Sequence, residues 1–343
     1  MPRTGKHPLK LTTTDASGTA PRPVTVTTVV HIPMLDGYWA ESLNVLKMFF
    51  ESLYASTAQP FDLMVFDNAS CSEVQDHLVS LQRVGKIQYL TLSTHNLKKL
   101  GAMDFLFANA PGEYIAFSDS DVYCLPGWLE ESLSVLSAFP EAGQVSALPT
   151  IDKRNHYVQS TLQGIQSTMN VAVERGQLIP ESCIEAHRLS IGREKDEYLR
   201  HAGSGEDIRI TRNGVSAYVS AQDFQFVTRR EIVRRILPLE VRHAGEYYDP
   251  IYSPVFEAKV DEGGWWRLST VRYLVHHMGN RLPDLKSELA GVTDALPVLN
   301  SAPAQMTGAT SSAWWRRILH SRPVRGLLKR IYTWAYLLLF ERS

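Results

Sequence analysis

The chain has 343 residues, with 35 Lys or Arg against 36 Asp or Glu and a net charge of −1 at pH 7. That length holds one large domain or two smaller ones with a substantial core, and the near-zero charge balance argues against a general affinity for nucleic acid. The three cysteines, Cys71, Cys124 and Cys183, have no CxxC spacing, which excludes a disulfide framework and a structural zinc site and fits a reducing compartment.

Residues 1–22 are polar, lack the apolar stretch of a signal peptide and read as a flexible arm. From Val24 short β-rich runs alternate with helix-period segments, the pattern of βαβ units and a mainly parallel sheet. The predicted strands are residues 24–32, 61–66, 87–92, 113–118 and 144–148. Between them Leu43, Leu46, Phe50 and Leu53 mark one helical stripe, and Val74, Leu78 and Leu81 a second, with Ser70 and Glu73 in capping-box spacing. Leu129, Leu133 and Leu136 mark a third, whose first turn suits Pro126.

Beyond residue 150 the periodicity weakens, and "GREKDEYLRHAGSGED" (192–207) reads as a long charged excursion. Strand-like runs return at 215–219 and 224–227, followed by a helix at "RREIVRRIL", a helical stretch after Tyr252, and "WWRLSTVRYLVHHMGN" at 265–280. Residues 291–312 have the composition of a linker. Residues 314–343 carry seven Lys or Arg and one acid, with an apolar run at 331–340 too short to span a bilayer. A basic amphipathic helix over 313–343 is expected, suited to a membrane surface.

Chemistry concentrates where strands end. The fourth strand finishes on "FSDSD", the second on "FDNAS", and the first runs into "HIPMLDGY". In an open parallel sheet ligands bind outside the carboxyl ends of the strands. Neighbouring ends would bring Asp67, Asn68, Asp119 and Asp121 to one crevice. A D-x-D pair repels itself unless a cation intervenes, and hard oxygen ligands at that spacing suit Mg²⁺ or Mn²⁺ with phosphates completing the shell.

The ordered run "DNAS", then Asn96 and Gly101, Ala110 to Phe117, the D-x-D, and Pro126 to Glu130 resembles the family 2 glycosyltransferases over most of residues 24–150. The resemblance implies an α/β fold of GT-A (Rossmann-like) type, a mixed, mostly parallel sheet flanked by helices. It divides the domain (23–290) into a nucleotide-sugar half (23–150) and an acceptor half (151–290). It implies transfer of a sugar from a nucleoside-diphosphate sugar, UDP being the more frequent choice, to a glycan or lipid-linked hydroxyl, by an inverting, metal-dependent route. A cytoplasmic location is expected, with a peripheral seat on the inner membrane as the further expectation.

Carried onto matching positions, the resemblance places the backbone around Ile32 and Pro33, with Asp67, Asn68, Asn96 and Gly101, around the nucleotide. Asp119 and Ser120 would serve the diphosphate, and Asp119, Asp121 and His277 the cation, with His277 nominated over His276. Asp249 is the implied base and Glu246 the second choice, although Tyr248 stands where the family's acidic pair would have Glu. Asp249 before Pro250 is equally an ordinary helix start. Trp265 and Trp266 offer an aromatic face for sugar or a core pair.

Two enzyme alternatives fit less well. In haloacid-dehalogenase-like phosphohydrolases the D-x-D closes the first strand, whereas three strand and helix units precede it here. A nucleotidyltransferase needs a Gly-rich basic loop after its first strand, which "VVHIPMLDGY" lacks. A nucleotide-sugar-binding protein without activity is the remaining alternative.

Overall fold

The computed structural model describes residues 20–239 and 254–292. Asp249 and Glu246, the N-terminal arm up to residue 19, and the linker from 293 together with the expected helix at 313–343 lie outside the described residues.

The first half follows the expected alternation. Strand β1 (Val24–Val30), helix α1 (Ser42–Ser56), β2 (Phe61–Asn68), α2 (Ser72–Arg83), β3 (Tyr89–Ser93), α3 (Lys98–Asn109) and β4 (Tyr114–Ser118) succeed one another. Next come β5 (Val122–Cys124), α4 (Trp128–Ala138) and β6 (Ala142–Ser146). The second half adds α5 (Gln159–Ser167), β7 (Ala172–Gly176), α6 (Glu181–Ser190), α7 (Lys195–Ala202), β8 (Asp207–Arg212) and β9 (Val215–Tyr218). It continues through β10 (Gln225–Arg229), α8 (Arg230–Ile236), α9 (Val255–Glu262), β11 (Trp266–Thr270), β12 (Val275–His277) and α10 (Leu285–Glu288).

Ten strands form one sheet in the order β3-β2-β1-β4-β10-β6-β11-β9-β8-β7, and β5 pairs with β12 in a separate ribbon. Strands β10, β9 and β7 run against the other seven. The sheet is therefore the expected mixed, mostly parallel one with helices packed against it. β1, β2 and β4 are buried over nearly their whole length, as parallel strands covered on both faces must be. Phe107, Phe117, Phe226 and Phe256 meet in edge-on and stacked pairs on one side, with Phe226 and Phe256 at 4.4 Å.

Several local expectations are corrected. Ser70 does not cap α2; Cys71 holds that position, and the Ser70 hydroxyl instead accepts the Ile32 N–H at 3.0 Å, tying the end of β1 to the turn after β2. Pro126 lies before α4, whose N-cap is Gly127 at φ 93°, a left-handed conformation that favours glycine. Residues 192–207 do not form an open excursion: α7 occupies their centre, because Tyr198 and Ala202 recur at helical spacing and both are buried. Trp266 is a core residue, 6.3 Å from the Phe139 ring, and Trp265 packs as a partly buried member of the aromatic cluster around Phe256.

Candidate functional site

The strand order turns back on itself between β1 and β4, since β2 and β3 lie on one side of β1 while the later strands continue past β4. In such sheets the crevice at that reversal is where ligands bind. The register Val30↔Asp67 and Thr27↔Phe117 brings the ends of β1, β2 and β4 to one edge. The segments after these three strands carry most of the residues singled out from the sequence.

The nucleotide-side residues form one hydrogen-bonded knot. Asn68 donates to Asn96 Oδ1 at 2.9 Å and accepts the Leu97 N–H at 2.7 Å. His31 Nδ1 lies 2.8 Å from the Asn68 carbonyl, and its Nε2 lies 3.3 Å from Asn96 Nδ2. Cys71 N–H donates to the Ile32 carbonyl at 2.9 Å. Asp67 is fully buried and accepts from Gln75 at 2.8 Å and from the Ser70 N–H, so in this structure it holds the turn after β2. Pro33 follows buried Ile32 and is half-buried. Gly101 lies inside α3, where an added Cβ would sit 3.1 Å from Leu97 Cβ.

The D-x-D follows β4. Asp119 N–H donates to the Phe224 carbonyl at 2.7 Å, and its carboxylate takes the Lys99 ammonium at 2.7 Å. The second carboxylate faces the other way: Asp121 Oδ2 is 3.3 Å from His277 Nε2. Pairing of β12 with β5, His277 opposite Val122, fixes that approach, and the Met278 N–H donates to the Asp121 carbonyl at 2.7 Å. His276 points away into the core, between Tyr273 Oη at 3.0 Å and Glu288 Oε2 at 2.9 Å. Of the adjacent histidines, only His277 is directed at the D-x-D.

The two carboxylates are electrostatically unequal. Burial pushes the Asp119 carboxyl up, to about 6, against the pull of Lys99. Burial acts on Asp121 in the same sense, but His277 and Lys99 outweigh it and hold that carboxyl below its usual range. Burial works against charge on His277 as well, yet Asp121 and Asp119 raise it to about 9.

Among the described residues no group of three or more His, Cys, Asp and Glu side chains is arranged to hold a metal ion. Asp119 is engaged by an ammonium instead. The donor chemistry nevertheless fits a cation at one point: Asp121 Oδ1 is buried and has no hydrogen-bond partner, beside an imidazole nitrogen. One hard oxygen, with an imidazole nitrogen that must shed its proton to a bound cation, suits Mn²⁺, provided other ligands complete the shell.

Four residues not singled out from the sequence stand at this site. Lys99, in the first turn of α3, is raised in pKa because Asp119, Asp223 and Asp121 outweigh its burial. Asp223 precedes β10, whose pairing with β4 ends at Gln225 opposite Ser118, and its charge acts on both Asp119 and Lys99. Lys153 Nζ lies 3.8 Å from Asp223 Oδ1. Fully buried Arg267 props up the same loops through the Ala221 carbonyl at 2.7 Å and the His156 carbonyl at 2.5 Å.

Beside the site lies a buried polar network. His187 Nδ1 is 2.8 Å from Tyr198 Oη and 3.1 Å from Thr150 Oγ1, and Thr150 and Gln222 both donate to Asp152 Oδ1, at 2.5 and 2.7 Å. Burial depresses His187 to about 4 from an ordinary 6.5. The unfolded chain thus binds a proton that the folded chain refuses between those values, so this contribution is complete above pH 6.5 and is lost as pH falls toward 4. Denaturant unfolding between about pH 6 and 4.5 is expected to show a loss of about 1.4 kcal/mol per pH unit from this residue. H187Q should flatten that part of the profile; an unchanged slope in H187Q would show that His187 is not the group responsible.

Residues 32–193 match the family described as Glycosyl transferase family 2. The match spans 162 of the 343 residues, so this segment is similar to that family. No curated protein matches the sequence. Among solved structures, the chain is similar to the mannosyltransferase PcManGT from Pyrobaculum calidifontis in complex with GDP-Man and Mn²⁺, at 16% identity over 64% of this chain and 48% of that one, with a TM-score of 0.35. S. aureus TarS 1–349 aligns at 11% identity over 74% of this chain and 60% of that one, TM-score 0.40. GalNAc-T7 with UDP, GalNAc and Mn²⁺ aligns at 13% identity over 75% and 43%, TM-score 0.42. The chain thus spans about half of these proteins, between 43% and 60% of their length.

Proposed function

We propose that this glycosyltransferase moves a sugar from a nucleoside-diphosphate sugar, with UDP as the nucleotide, to a hydroxyl acceptor, with inversion and with a divalent cation. The observation that carries the reading is the unpartnered, buried Asp121 Oδ1 at the sheet's reversal point, within the residues that match family 2, with Asp121 Oδ2 3.3 Å from His277 Nε2. Asp121 and His277 would hold the cation, which when bound supplies charge compensation for the departing diphosphate.

The chain's own residues account for the rest. The Asn68–Asn96–His31 knot fixes the backbone around Ile32 and Pro33 as one wall of a nucleotide pocket. Lys99, beside Asp119, places a fixed positive charge where a diphosphate would lie. A carboxylate within hydrogen-bond reach then removes the acceptor proton. Asp249 is the base proposed from the family resemblance, and Asp223 is the described carboxylate whose charge acts on Asp119.

A panel of UDP-, GDP- and dTDP-sugars, assayed with and without Mn²⁺ for release of nucleoside diphosphate, tests this reading. UDP release that needs Mn²⁺ is expected. If no donor is bound or consumed, the transferase reading fails; if a donor is bound but never consumed, a binding protein without activity takes its place.

A further inference from the structure

The segment beyond residue 150 gathers an arginine, a lysine and two histidines, the histidines held below their usual range by burial. Arg193, three residues beyond the end of α6, has a buried Nη1 without a hydrogen-bond partner. Its charge reaches His187, Tyr198 and His201. The His201 ring stacks on His156 at 5.6 Å with 21° between the planes. Lys153 is near both histidines, and its side chain is only 7% exposed.

Two of the acids nearby are already committed. Asp207 is buried and takes Arg154 at 3.3 Å together with the N–H groups of Leu178 and Ile179 at 2.9 and 3.0 Å. Asp152 is buried and accepts from Thr150 and Gln222. Asp223 lies 3.8 Å from Lys153, exposed Glu197 acts on His201, and exposed Glu194 follows Arg193. Asn155 and Arg154 bind the carbonyls of Ala202 and Gly203, at 3.2 and 2.7 Å, so the two loops bearing His156 and His201 are pinned together.

The cluster adjoins the D-x-D. The Phe224 ring lies 6.3 Å from His187 on one side and 5.4 Å from His277 on the other, and His277 Nδ1 is 3.4 Å from the Ser190 carbonyl at the end of α6. An unpartnered guanidinium nitrogen, a nearly buried ammonium and two stacked imidazoles call for an anion with several acceptor oxygens. We propose that Lys153, Arg193, His156 and His201 form an anion subsite for a phosphate ester carried by the acceptor. This deepens the transferase reading, on which its role in acceptor binding rests.

The test uses the full chain saturated with UDP and Mn²⁺, so that the donor site is filled. Binding of inorganic phosphate and of glucose 1-phosphate is followed by calorimetry and by the NMR signals of His156 and His201. Both ligands are expected to bind without displacing UDP, and to bind about tenfold more weakly to R193Q and to the H156Q/H201Q double variant. Glucose should not bind there. Phosphate that only displaces UDP, or that binds both variants like the parent, overturns the proposal. If UDP itself fails to bind while phosphate still moves the two histidine signals, the donor reading falls and the subsite stands. Phosphatidylcholine vesicles with and without phosphatidic acid separate the two sources. A phosphatidic-acid-dependent association lost in the same variants assigns the phosphate to a lipid, whereas binding of glucose 1-phosphate alone assigns it to a soluble glycan.

Discussion

Asp121→Asn is expected to lower kcat/KM for donor-sugar turnover by about 10³-fold, on the order of 4 kcal/mol of transition-state stabilisation. The reason is local. Asp121 carries the buried carboxylate oxygen that no protein donor satisfies, and it is the D-x-D residue that faces His277. An amide keeps the size but removes the charge that a cation requires. The fold should survive, because the Asp121–His277 pair is partly exposed, at 31% and 24%, and such pairs contribute only about 1 kcal/mol. The check is a three-way measurement of turnover, Mn²⁺ affinity and melting temperature. Loss of turnover together with Mn²⁺ affinity at near-constant melting temperature is the expected result. Full activity in D121N would remove Asp121 from the cation site.

The second large effect concerns proton removal. Loss of a general base costs about 10² to 10⁴ in rate. D249N is expected to lose that much in kcat while keeping UDP affinity. D223N is expected to lose less, about tenfold, because Asp223 sits between Lys153 and Lys99 and balances charge beside the diphosphate position. A bell-shaped rate profile whose acidic limb disappears only in D249N would fix the assignment. The reverse order, with D223N the more damaging, would transfer the role to Asp223, whose charge already acts on Asp119.

The first half of the fold was legible because its signals are local. Parallel strands covered on both faces read as continuous apolar runs, and the helices between them carry clear stripes. The second half was legible in part: the expected strands at 215–219 and 224–227 and the helix after them are β9, β10 and α8, but other elements gave no signal. Strand β7 is almost wholly exposed and has no apolar alternation, α5 buries only Thr161 and Ile165, and α7 is held by the single buried tyrosine Tyr198 and by Ala202. Ser70 shows the same limit at one residue: capping spacing is a local rule, and a hydroxyl that can instead accept a buried N–H from the end of β1 does so.

The candidate site divides along the same line. The letters at the ends of β1, β2 and β4, and the motif order that marks the family, lie in the sequence itself, since each is a short run whose chemistry does not depend on distant partners. The relations among them came from the sheet. Antiparallel entry of β10 beside β4 sets Gln225 opposite Ser118 and so brings the charge of Asp223 to bear on Asp119, although about a hundred residues separate them. Lys99 reaches Asp119 because α3 packs against the first strands, and the β5–β12 ribbon turns His277 rather than His276 toward Asp121. The sequence by itself determined which carboxylates end the strands; only the tertiary structure decided that one is neutralised by a lysine and the other left open beside an imidazole, because pairing between remote strands sets which charges meet.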